Sequence, residues 1–454
     1  MTKVITYGTY DLLHYGHRRL LERAKALGDY LIVGVTSDDY DKTRGKINDK
    51  QTLMERMEAV KATGLADKVI VEEYEGQKID DIKRYGVDIF TVGSDWEGKF
   101  DYLNEYCKVI YLPRTEGVSS TELRSTENRL RMGIVGQAPY WAKFVAECSY
   151  VNGIQFAGIC SSRDDMDFIR EQALEKQIDI PLLTDAYDEF LEAVDAVYIV
   201  SLPEQHYEEI KYALLQHKHV LCEAPITVNE EQTRELFELA DREGCVLMEA
   251  IKTAYATAYE RVLLVAKSGR IGKIISVDAT CTSLSDGLGE AQTDLAKKWN
   301  SISAWGPTAL LPVFQLLGTK YKARTIVSKY IDAAKKYDGY TKIDFVYPSA
   351  VASIRVGKAA KAEGELIITG EKGYIYVPAP WWKTDYFEVR FENPQNNLRH
   401  FYQLDGEGIR YEVVAFARSI ETKKNGTYID EVVSLATTKI IQDCEARRDV
   451  VEIR

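Results

Sequence analysis

No apolar run in the 454-residue chain approaches the roughly 20 residues that a membrane-spanning helix needs. The opening Met1-Thr2-Lys3 leads straight into a strand-like segment, so no signal peptide is expected and the cytoplasm is the expected compartment. Cysteine is scarce and unpatterned: seven residues, an odd number, with no Cys-x-x-Cys pair. Cys160, Cys222, Cys245 and Cys281 lie in apolar runs and read as buried thiols in a reducing compartment, not as bridges or metal ligands. Positive charge is also short, with 58 Lys and Arg against 70 Asp and Glu, a formal net charge of −12. That balance argues against nucleic acid or an anionic membrane as a general partner, while leaving room for a local basic pocket. Low-complexity segments and short repeats are missing too. What remains is an ordinary globular composition, 45% hydrophobic and 28% charged, on a chain long enough for two to four domains.

The most informative stretch is Gly8-Thr9-Tyr10-Asp11-Leu12-Leu13-His14-Tyr15-Gly16-His17. It follows the strand-like Val4-Ile5-Thr6-Tyr7. It precedes an amphipathic run, Leu20, Leu21, Ala24 and Leu27, that stops at Gly28. The order is strand, glycine-bearing turn, helix. Backbone N–H groups at such a turn and helix start make an anion site. The spacing places His14 and His17 on one face of the first helical turn, where imidazoles can donate to a transferred phosphoryl group. A lone His-x-x-His has a plainer reading as two incidental side chains.

Strand and helix patterns alternate through the next hundred residues. Strands are expected at Tyr30 to Thr36, Lys68 to Val71, Asp88 to Val92 and Val109 to Leu112, with helices at Gln51 to Thr63 and Ile79 to Tyr85. This is the signature of a parallel sheet covered by helices, with ligands at the carboxyl ends of the strands. Three more stretches stand at such ends. Gly93-Ser94-Asp95-Trp96-Glu97-Gly98-Lys99-Phe100-Asp101 follows one strand, and Arg114-Thr115-Glu116-Gly117-Val118-Ser119-Ser120-Thr121 follows the last. Arg44, Lys46 and Arg56 supply cations between strands two and three. A guanidinium fork, hydroxyls and helix-start amides suit phosphate; Ser119 with Glu122 also fits an ordinary capped helix.

With these stretches together, residues 1–127 resemble the glycerol-3-phosphate cytidylyltransferase family, within the nucleotidyltransferases that carry a His-x-Gly-His signature. The resemblance implies transfer of a cytidylyl group from CTP to a sugar or polyol phosphate, with pyrophosphate leaving. The acceptor phosphate would attack the α-phosphorus in line, without a covalent enzyme intermediate. His14 and His17 would stabilise the transition state, and Arg114 and Lys46 would hold the triphosphate. Gly8, Thr9, Tyr10, Gly16, Trp96, Thr115, Gly117, Ser119 and Thr121 would line the nucleotide. Mg²⁺ would neutralise the triphosphate, with no side-chain metal ligand identified. Asp11 and Asp95 would orient donors or the metal, or serve as helix caps. Related motifs also serve adenylyl transfer; the Arg-Thr-x-Gly stretch leans toward CTP.

After the short linker Ser125-Thr126-Glu127-Asn128 the alternation restarts. Leu130-Arg131-Met132-Gly133-Ile134-Val135-Gly136 reads as a strand entering a turn, followed by strands at Phe156 to Cys160 and Ala196 to Val200. Ser201-Leu202-Pro203-Glu204-Gln205-His206 and His219-Val220-Leu221-Cys222-Glu223-Ala224-Pro225 come next. This set resembles the glucose–fructose oxidoreductase and inositol dehydrogenase (Gfo/Idh/MocA) family. The resemblance implies a dinucleotide-binding Rossmann domain over 128–250 and an α/β substrate and dimerisation domain with an open mixed sheet over 251–454. Its closing helices, around Tyr411 to Thr422 and Tyr428 to Ala446, would return to the Rossmann domain. Gly133, Gly136, Ser201, Leu202, Pro203, His206 and Glu223 fall on the coenzyme-binding positions, and a homodimer or larger assembly is implied.

This sequence departs from that family at several points. The expected Gly-x-Gly reads Gly136-Gln137-Ala138, so backbone approach to a pyrophosphate is less free. Ser161-Ser162-Arg163 lacks an acidic residue for a ribose 2′-hydroxyl, which favours NADP(H) over NAD(H), although Arg163 also reads as a solvated helix-start cation. The family's Glu-Lys-Pro is Glu223-Ala224-Pro225, and Ala224 can carry no proton. Natural decay and an engineered Lys→Ala exchange both fit that isolated loss. Lys252 is the nearest substitute cation, or a surface lysine. Pro312 and Gln315 replace an expected aspartate and histidine. Strands are expected at Ile274 to Cys281, Ile343 to Tyr347, Ala350 to Val356, Glu365 to Thr369 and Gly373 to Val377. The turn Pro378-Ala379-Pro380-Trp381-Trp382-Lys383 is a core plug, a dimer contact or a pocket wall.

The leading expectation is a bifunctional enzyme. One end is a cytidylyltransferase, and the other an NADPH-dependent reductase of the keto-sugar phosphate or CDP-sugar, making a CDP-polyol for a capsule or teichoic acid-like surface glycopolymer. The alternative keeps the cytidylyltransferase and makes the rest a redox-inactive binding or dimerisation module.

Overall fold

A computed structural model describes residues 1–43, 51–74, 76–113, 129–136, 140–151, 153–284, 299–332, 337–402, 404, 406–423 and 427–453. They form two compact units, Met1–Arg129 with Val151–Gly153, and Leu130–Tyr150 with Ile154–Arg454.

The first unit is a five-stranded parallel sheet: β1 (Lys3–Gly8), β2 (Tyr30–Thr36), β3 (Lys68–Glu72), β4 (Ile89–Gly93) and β5 (Lys108–Leu112), in the order β3-β2-β1-β4-β5. Helices α1 (Tyr15–Lys25), α2 (Asp38–Thr43), α3 (Leu53–Ala62) and α4 (Gln77–Tyr85) accompany it. The strands are apolar on both faces because both faces are covered. Val4, Leu31 and Val33 pack with Leu21, Ala24 and Val60 on one side, and Ile5, Ile32 and Phe90 with Ile82 on the other. The expected elements are present. The short α2 is additional, built from polar residues whose apolar period is too brief to read. α3 starts where Thr52 and Glu55 form a reciprocal capping box.

The second unit holds two sheets. The first is six-stranded and parallel: β6 (Leu130–Gly136), β7 (Ile154–Cys160), β8 (Leu183–Thr184), β9 (Ala196–Val200), β10 (His219–Glu223) and β11 (Leu247–Ala250), ordered β11-β10-β9-β6-β7-β8. Its helices are α5 (Trp141–Cys148), α6 (Arg163–Lys176), α7 (Tyr187–Ala193), α8 (Pro203–Leu215) and α9 (Glu230–Glu243).

The second sheet is mixed and nine-stranded. It comprises β12 (Ile274–Thr282), β13 (Ala323–Asp332), β14 (Tyr337–Val346), β15 (Val351–Gly357), β16 (Leu366–Gly370), β17 (Gly373–Val377), β18 (Tyr386–Phe391), β19 (Leu398–Phe401) and β20 (Val450–Glu452). β12 pairs in parallel with β15 and β13 with β20, and the other pairs are antiparallel. Four of these strands, β13, β18, β19 and β20, lie outside the expected set. Polar and charged residues interrupt β13, charges alternate in β18 at Glu388 and Arg390, and β20 is three residues long. Helices α10 (Thr257–Lys267) and α11 (Ser301–Leu317) precede this sheet's later strands. The closing pair α12 (Ile409–Thr422) and α13 (Glu431–Glu445) returns to the Rossmann layer. Arg410 of α12 makes a two-pronged ion pair with Glu147 of α5, both contacts at 3.0 Å, and Thr438 of α13 meets Thr233 of α9 at 3.3 Å.

The aromatic turn is a core plug at Trp381, which is buried and donates its indole N–H to the Thr280 carbonyl at 3.1 Å. All seven cysteines are free thiols; Cys245 is only half-buried and stands in the turn before β11, not within a strand. Among the described residues, no helix is long and apolar enough to cross a membrane.

Candidate functional site

The amino-terminal site lies at the carboxyl edge of the first sheet. β1 ends at Gly8 and its neighbour β4 at Gly93, and connections from these two strands run in opposite directions. Such a switch point opens a crevice for ligands. It brings the Gly8–His17 turn and the Asp95-Trp96 segment to one edge.

The turn is left-handed at Tyr10 (φ 56°) and Leu12 (φ 49°), not at a glycine. Gly8 serves packing instead: a Cβ there would lie 3.1 Å from the Tyr10 ring. That ring is buried, with its edge against His17 at 5.5 Å between centroids. His14 does not belong to the first helical turn. It is the cap of α1, with extended backbone, and its Nδ1 accepts the Gly16 N–H at 3.1 Å. Nδ1 is therefore unprotonated, and the neutral ring carries its hydrogen on Nε2. The His14 and His17 rings stack at 3.8 Å and 20°.

Beneath the turn sits a buried polar brace. Thr9 Oγ1 donates to Asp41 at 2.9 Å, and Arg56 Nη1 donates to the Thr9 and Thr36 carbonyls at 2.7 and 2.8 Å. Arg56 Nε reaches the Gln51 carbonyl at 3.2 Å, and its guanidinium also pairs with Asp38 and, at 3.5 Å, with Asp41. Arg56 is thus wholly buried and spends its charge inside the protein, so it does not present a cation to phosphate as its position suggested. Asp11 is buried as well, accepting the Gln51 N–H at 3.0 Å, which ties the turn to the start of α3. Asp95 is exposed, and Trp96 packs on Phe100 at 5.9 Å with the Lys99 ammonium 5.0 Å from its ring centroid. Arg44, Lys46, Arg114, Thr115, Gly117, Ser119 and Thr121 lie outside the described residues.

The second site opens at the carboxyl ends of β6, β7 and β9. A cavity of about 850 Å³ is lined by Gly136, Ser161, Ser162, Ser201, Leu202 and Glu209 among others. Gly136 (φ 126°) is required there, because a Cβ would meet the Ser201 amide nitrogen at 2.4 Å. Ser161 Oγ donates to the Gly136 carbonyl at 2.9 Å, joining the first two strand ends. Leu202 caps α8, and Pro203 takes its first position, where no N–H is needed. Gly133 is not a coenzyme contact: it lies inside β6, and a Cβ there would meet the Phe190 ring at 2.5 Å. His206 is fully buried between the Ser201 and Pro225 carbonyls, at 3.0 and 2.9 Å, and braces two loops instead of lining the cleft. Arg163 is 84% exposed, and its Nε pairs with Asp185 at 2.7 Å. Ser162 Oγ donates to Asp165 at 2.9 Å. Gln137 and Ala138 lie outside the described residues.

At the neighbouring strand end Ala224 is buried beside Glu223. β10 and β11 run in register, Glu223 opposite Ala250, and the Ala224 N–H points to the Ala250 carbonyl at 3.4 Å. Lys252, two residues past β11, therefore leaves the sheet next to Ala224. Tyr198 Oη donates to Glu223 Oε2 at 2.6 Å and stands 3.4 Å from Glu412 Oε1. Burial raises the Glu223 carboxyl above its usual range, against the pull of Lys252 and Tyr198. Burial and the nearby Glu223 raise Glu412 much further. In α11, Gln315 accepts from Tyr259 at 2.8 Å and donates to the Tyr428 carbonyl at 2.7 Å. Tyr198, Glu412, Asp41 and the bracing role of Arg56 escaped sequence reasoning. Only the place of Asp38 and Asp41, just past a strand end, could have pointed to the last two.

Comparison with known proteins agrees with this division. The cytidylyltransferase-like family matches residues 5–126, and the oxidoreductase family with an NAD-binding Rossmann fold matches residues 130–251. Glycerol-3-phosphate cytidylyltransferase of Bacillus spizizenii is 51% identical over 124 residues, 27% of this chain and 95% of that protein. D-xylose 1-dehydrogenase (NADP(+)) 2 of Haloferax volcanii is 25% identical over 308 residues, 64% of this chain and 90% of its own length. A 3-ketoreductase from Actinomadura kijaniata, solved with NADP and TDP-benzene, superposes with a TM-score of 0.62 at 18% identity, over 72% of this chain and 99% of that one. The chain is an enzyme that belongs to the cytidylyltransferase family through its first 126 residues and carries a Gfo/Idh/MocA-type oxidoreductase domain fused behind them.

Proposed function

We propose that the chain couples CTP-dependent cytidylyl transfer onto a sugar or polyol phosphate with NADPH-dependent reduction of the keto-sugar phosphate or its CDP derivative. The working division is 1–127 for transfer, 128–250 for coenzyme and 251–454 for the reductase substrate. The observation that carries the transferase half is the stacked His14–His17 pair at the switch point, with the His14 tautomer fixed by the Gly16 N–H. In this reading both rings would meet the charge that grows on the α-phosphate during in-line attack, and donors held in place before the reaction lower that barrier most. Arg56 and Asp41 hold the Thr9 backbone and hydroxyl in place. Mg²⁺ would come as a passenger on the triphosphate, neutralising its charge through the phosphate oxygens.

The coenzyme half rests on the cavity at Gly136 and Ser201, where the missing Cβ lets two strand ends close on each other beneath the cleft that a pyrophosphate would occupy. When bound, the coenzyme supplies hydride. Ser161, Ser162 and Arg163 would meet the adenosine ribose, with Arg163 exchanging Asp185 for a 2′-phosphate. A surface glycopolymer precursor is the product class that makes such a fusion useful, and a dimer is the expected assembly.

A second reading, an active transferase with a redox-inactive partner domain, is favoured by Ala224, by Pro312 and by the fully engaged Gln315 amide. One assay separates the two. The protein is mixed with Mg²⁺-CTP, NADPH and the phosphates of glycerol, ribulose, xylulose, ribitol, fructose and mannitol, and pyrophosphate release and NADPH loss are followed together. Release and oxidation with one keto-sugar phosphate support the coupled enzyme; release with NADPH untouched for every substrate supports the second reading.

A further inference from the structure

Carbonyl reduction consumes one hydride and one proton. The family's lysine, which would help move that proton, is Ala224 here. The structure points to another proton source three side chains long. Tyr198 has one hydroxyl hydrogen and two carboxylates beside it, Glu223 Oε2 at 2.6 Å and Glu412 Oε1 at 3.4 Å. The hydrogen goes to the closer oxygen. A second oxygen near the same hydroxyl is repelled unless it carries a hydrogen of its own and donates. Glu412 is also 1% exposed, and among the described residues its Oε2 has no hydrogen-bond partner. A carboxylate anion so placed would be far costlier than a carboxylic acid.

We propose that Glu412 is a neutral carboxylic acid feeding a proton wire, Glu412 to Tyr198 to Glu223, which ends at the strand terminus where the lysine is missing. In the reduction, for which the bound coenzyme would supply hydride, the Tyr198 hydrogen moves to the Glu223 carboxylate and Glu223 hands a proton on to the carbonyl oxygen, ending as the anion it was at the start. Tyr198 takes the hydrogen of Glu412 in its place, which leaves Glu412 as the carboxylate until solvent reprotonates it. The use of this wire rests on the reductase reading above.

The surroundings agree with this charge state. Lys252 faces both carboxyls, so one anion and one cation balance, leaving the second carboxyl neutral. Glu147, Cys148 and Tyr255 are the other titratable groups around Glu412, and Tyr140 stands near Glu223. The nearby Arg410 cation is already paired with Glu147 and is not spent on Glu412.

The test is infrared spectroscopy of the whole wild-type protein, titrated above the value of about 7 at which Glu209 and Glu249 ionise. A carbonyl-stretch band of a protonated carboxylic acid, shifting in D2O, is expected to persist there, to vanish in Glu412→Gln and to move in Tyr198→Phe. Its absence from the wild type, or its persistence in Glu412→Gln, overturns the wire. Tyr198→Phe is then assayed against pH. About a hundredfold loss of turnover, with coenzyme affinity kept and the alkaline limb moved, is expected. An unchanged pH profile overturns the catalytic use. A wild-type protein that shows the band, binds NADPH and never oxidises it overturns the reductase reading and not the protonation state.

Discussion

His14 and His17 stack face to face with ring centroids 3.8 Å apart, although only one of them belongs to the helix. His14 caps α1 through Nδ1, so it has a structural task besides the chemical one proposed for it. The two tasks can be separated. His14→Ala and His17→Ala should each lower cytidylyl transfer by about a hundredfold or more. His14→Asn should keep the cap, and so the melting temperature, while losing transfer to the same degree. Transfer near wild type in His14→Asn would reduce His14 to a cap.

Arg56 carries its charge into a site with no exposure and holds Thr9, Thr36, Gln51, Asp38 and Asp41 together. Arg56→Ala should destabilise the first unit by about 3–5 kcal/mol, because it takes the buried guanidinium away from Asp41 and from three backbone carbonyls. Hydrogen exchange of the β1 and β2 amides across a denaturant series reads this. Arg56→Lys should recover part of the stability and little of the transfer rate, since one ammonium cannot reach three carbonyls in a fork.

Gly136→Ala should abolish NADPH binding and leave CTP turnover intact. The added Cβ meets the Ser201 amide at 2.4 Å in a backbone conformation that L side chains rarely adopt. Isothermal titration with NADPH, alongside pyrophosphate release, tests both halves. Loss of both activities would mean that the two sites depend on each other.

Glu249 gives a pH prediction. Burial pushes its carboxyl up to about 7 from the ordinary 4.5, with Ser434 Oγ bound to one oxygen. The folded state therefore holds this proton more tightly than the unfolded chain. The stabilisation is complete below pH 4.5 and is lost as pH rises toward 7, about 3 kcal/mol at most. Glu249→Gln should lessen that decline in a series of urea midpoints across this window, leaving the share of Glu209, which burial also raises to about 7. A wild-type midpoint unchanged over the same range would show that Glu249 is ionised when folded.

Ala224→Lys should raise NADPH oxidation if position 224 still faces the reacting carbonyl. It also places a second cation near Lys252, so coenzyme affinity and turnover should be measured separately.

Much of the framework was determined by the sequence alone. β2, β6, β9 and β17 run between the residues that their patterns marked: β2 and β9 are buried on both faces and so apolar throughout, while β17 alternates between a buried and a half-buried face. The turn between β1 and α1, the Ser-Leu-Pro helix start and the loss at Ala224 were equally visible, since each is a local pattern of a few residues. Contacts between distant residues were not. Tyr198 and Glu412 are 214 residues apart, and neither carries a local sign that it shares a proton. Arg56 looked like a phosphate ligand because its charge was legible and its burial was not. Gly133 looked like part of a coenzyme turn, and only the Phe190 ring packed against it shows its task. Local patterning chose the elements, while burial decided which polar groups keep their charge, because desolvation depends on what the fold packs around them.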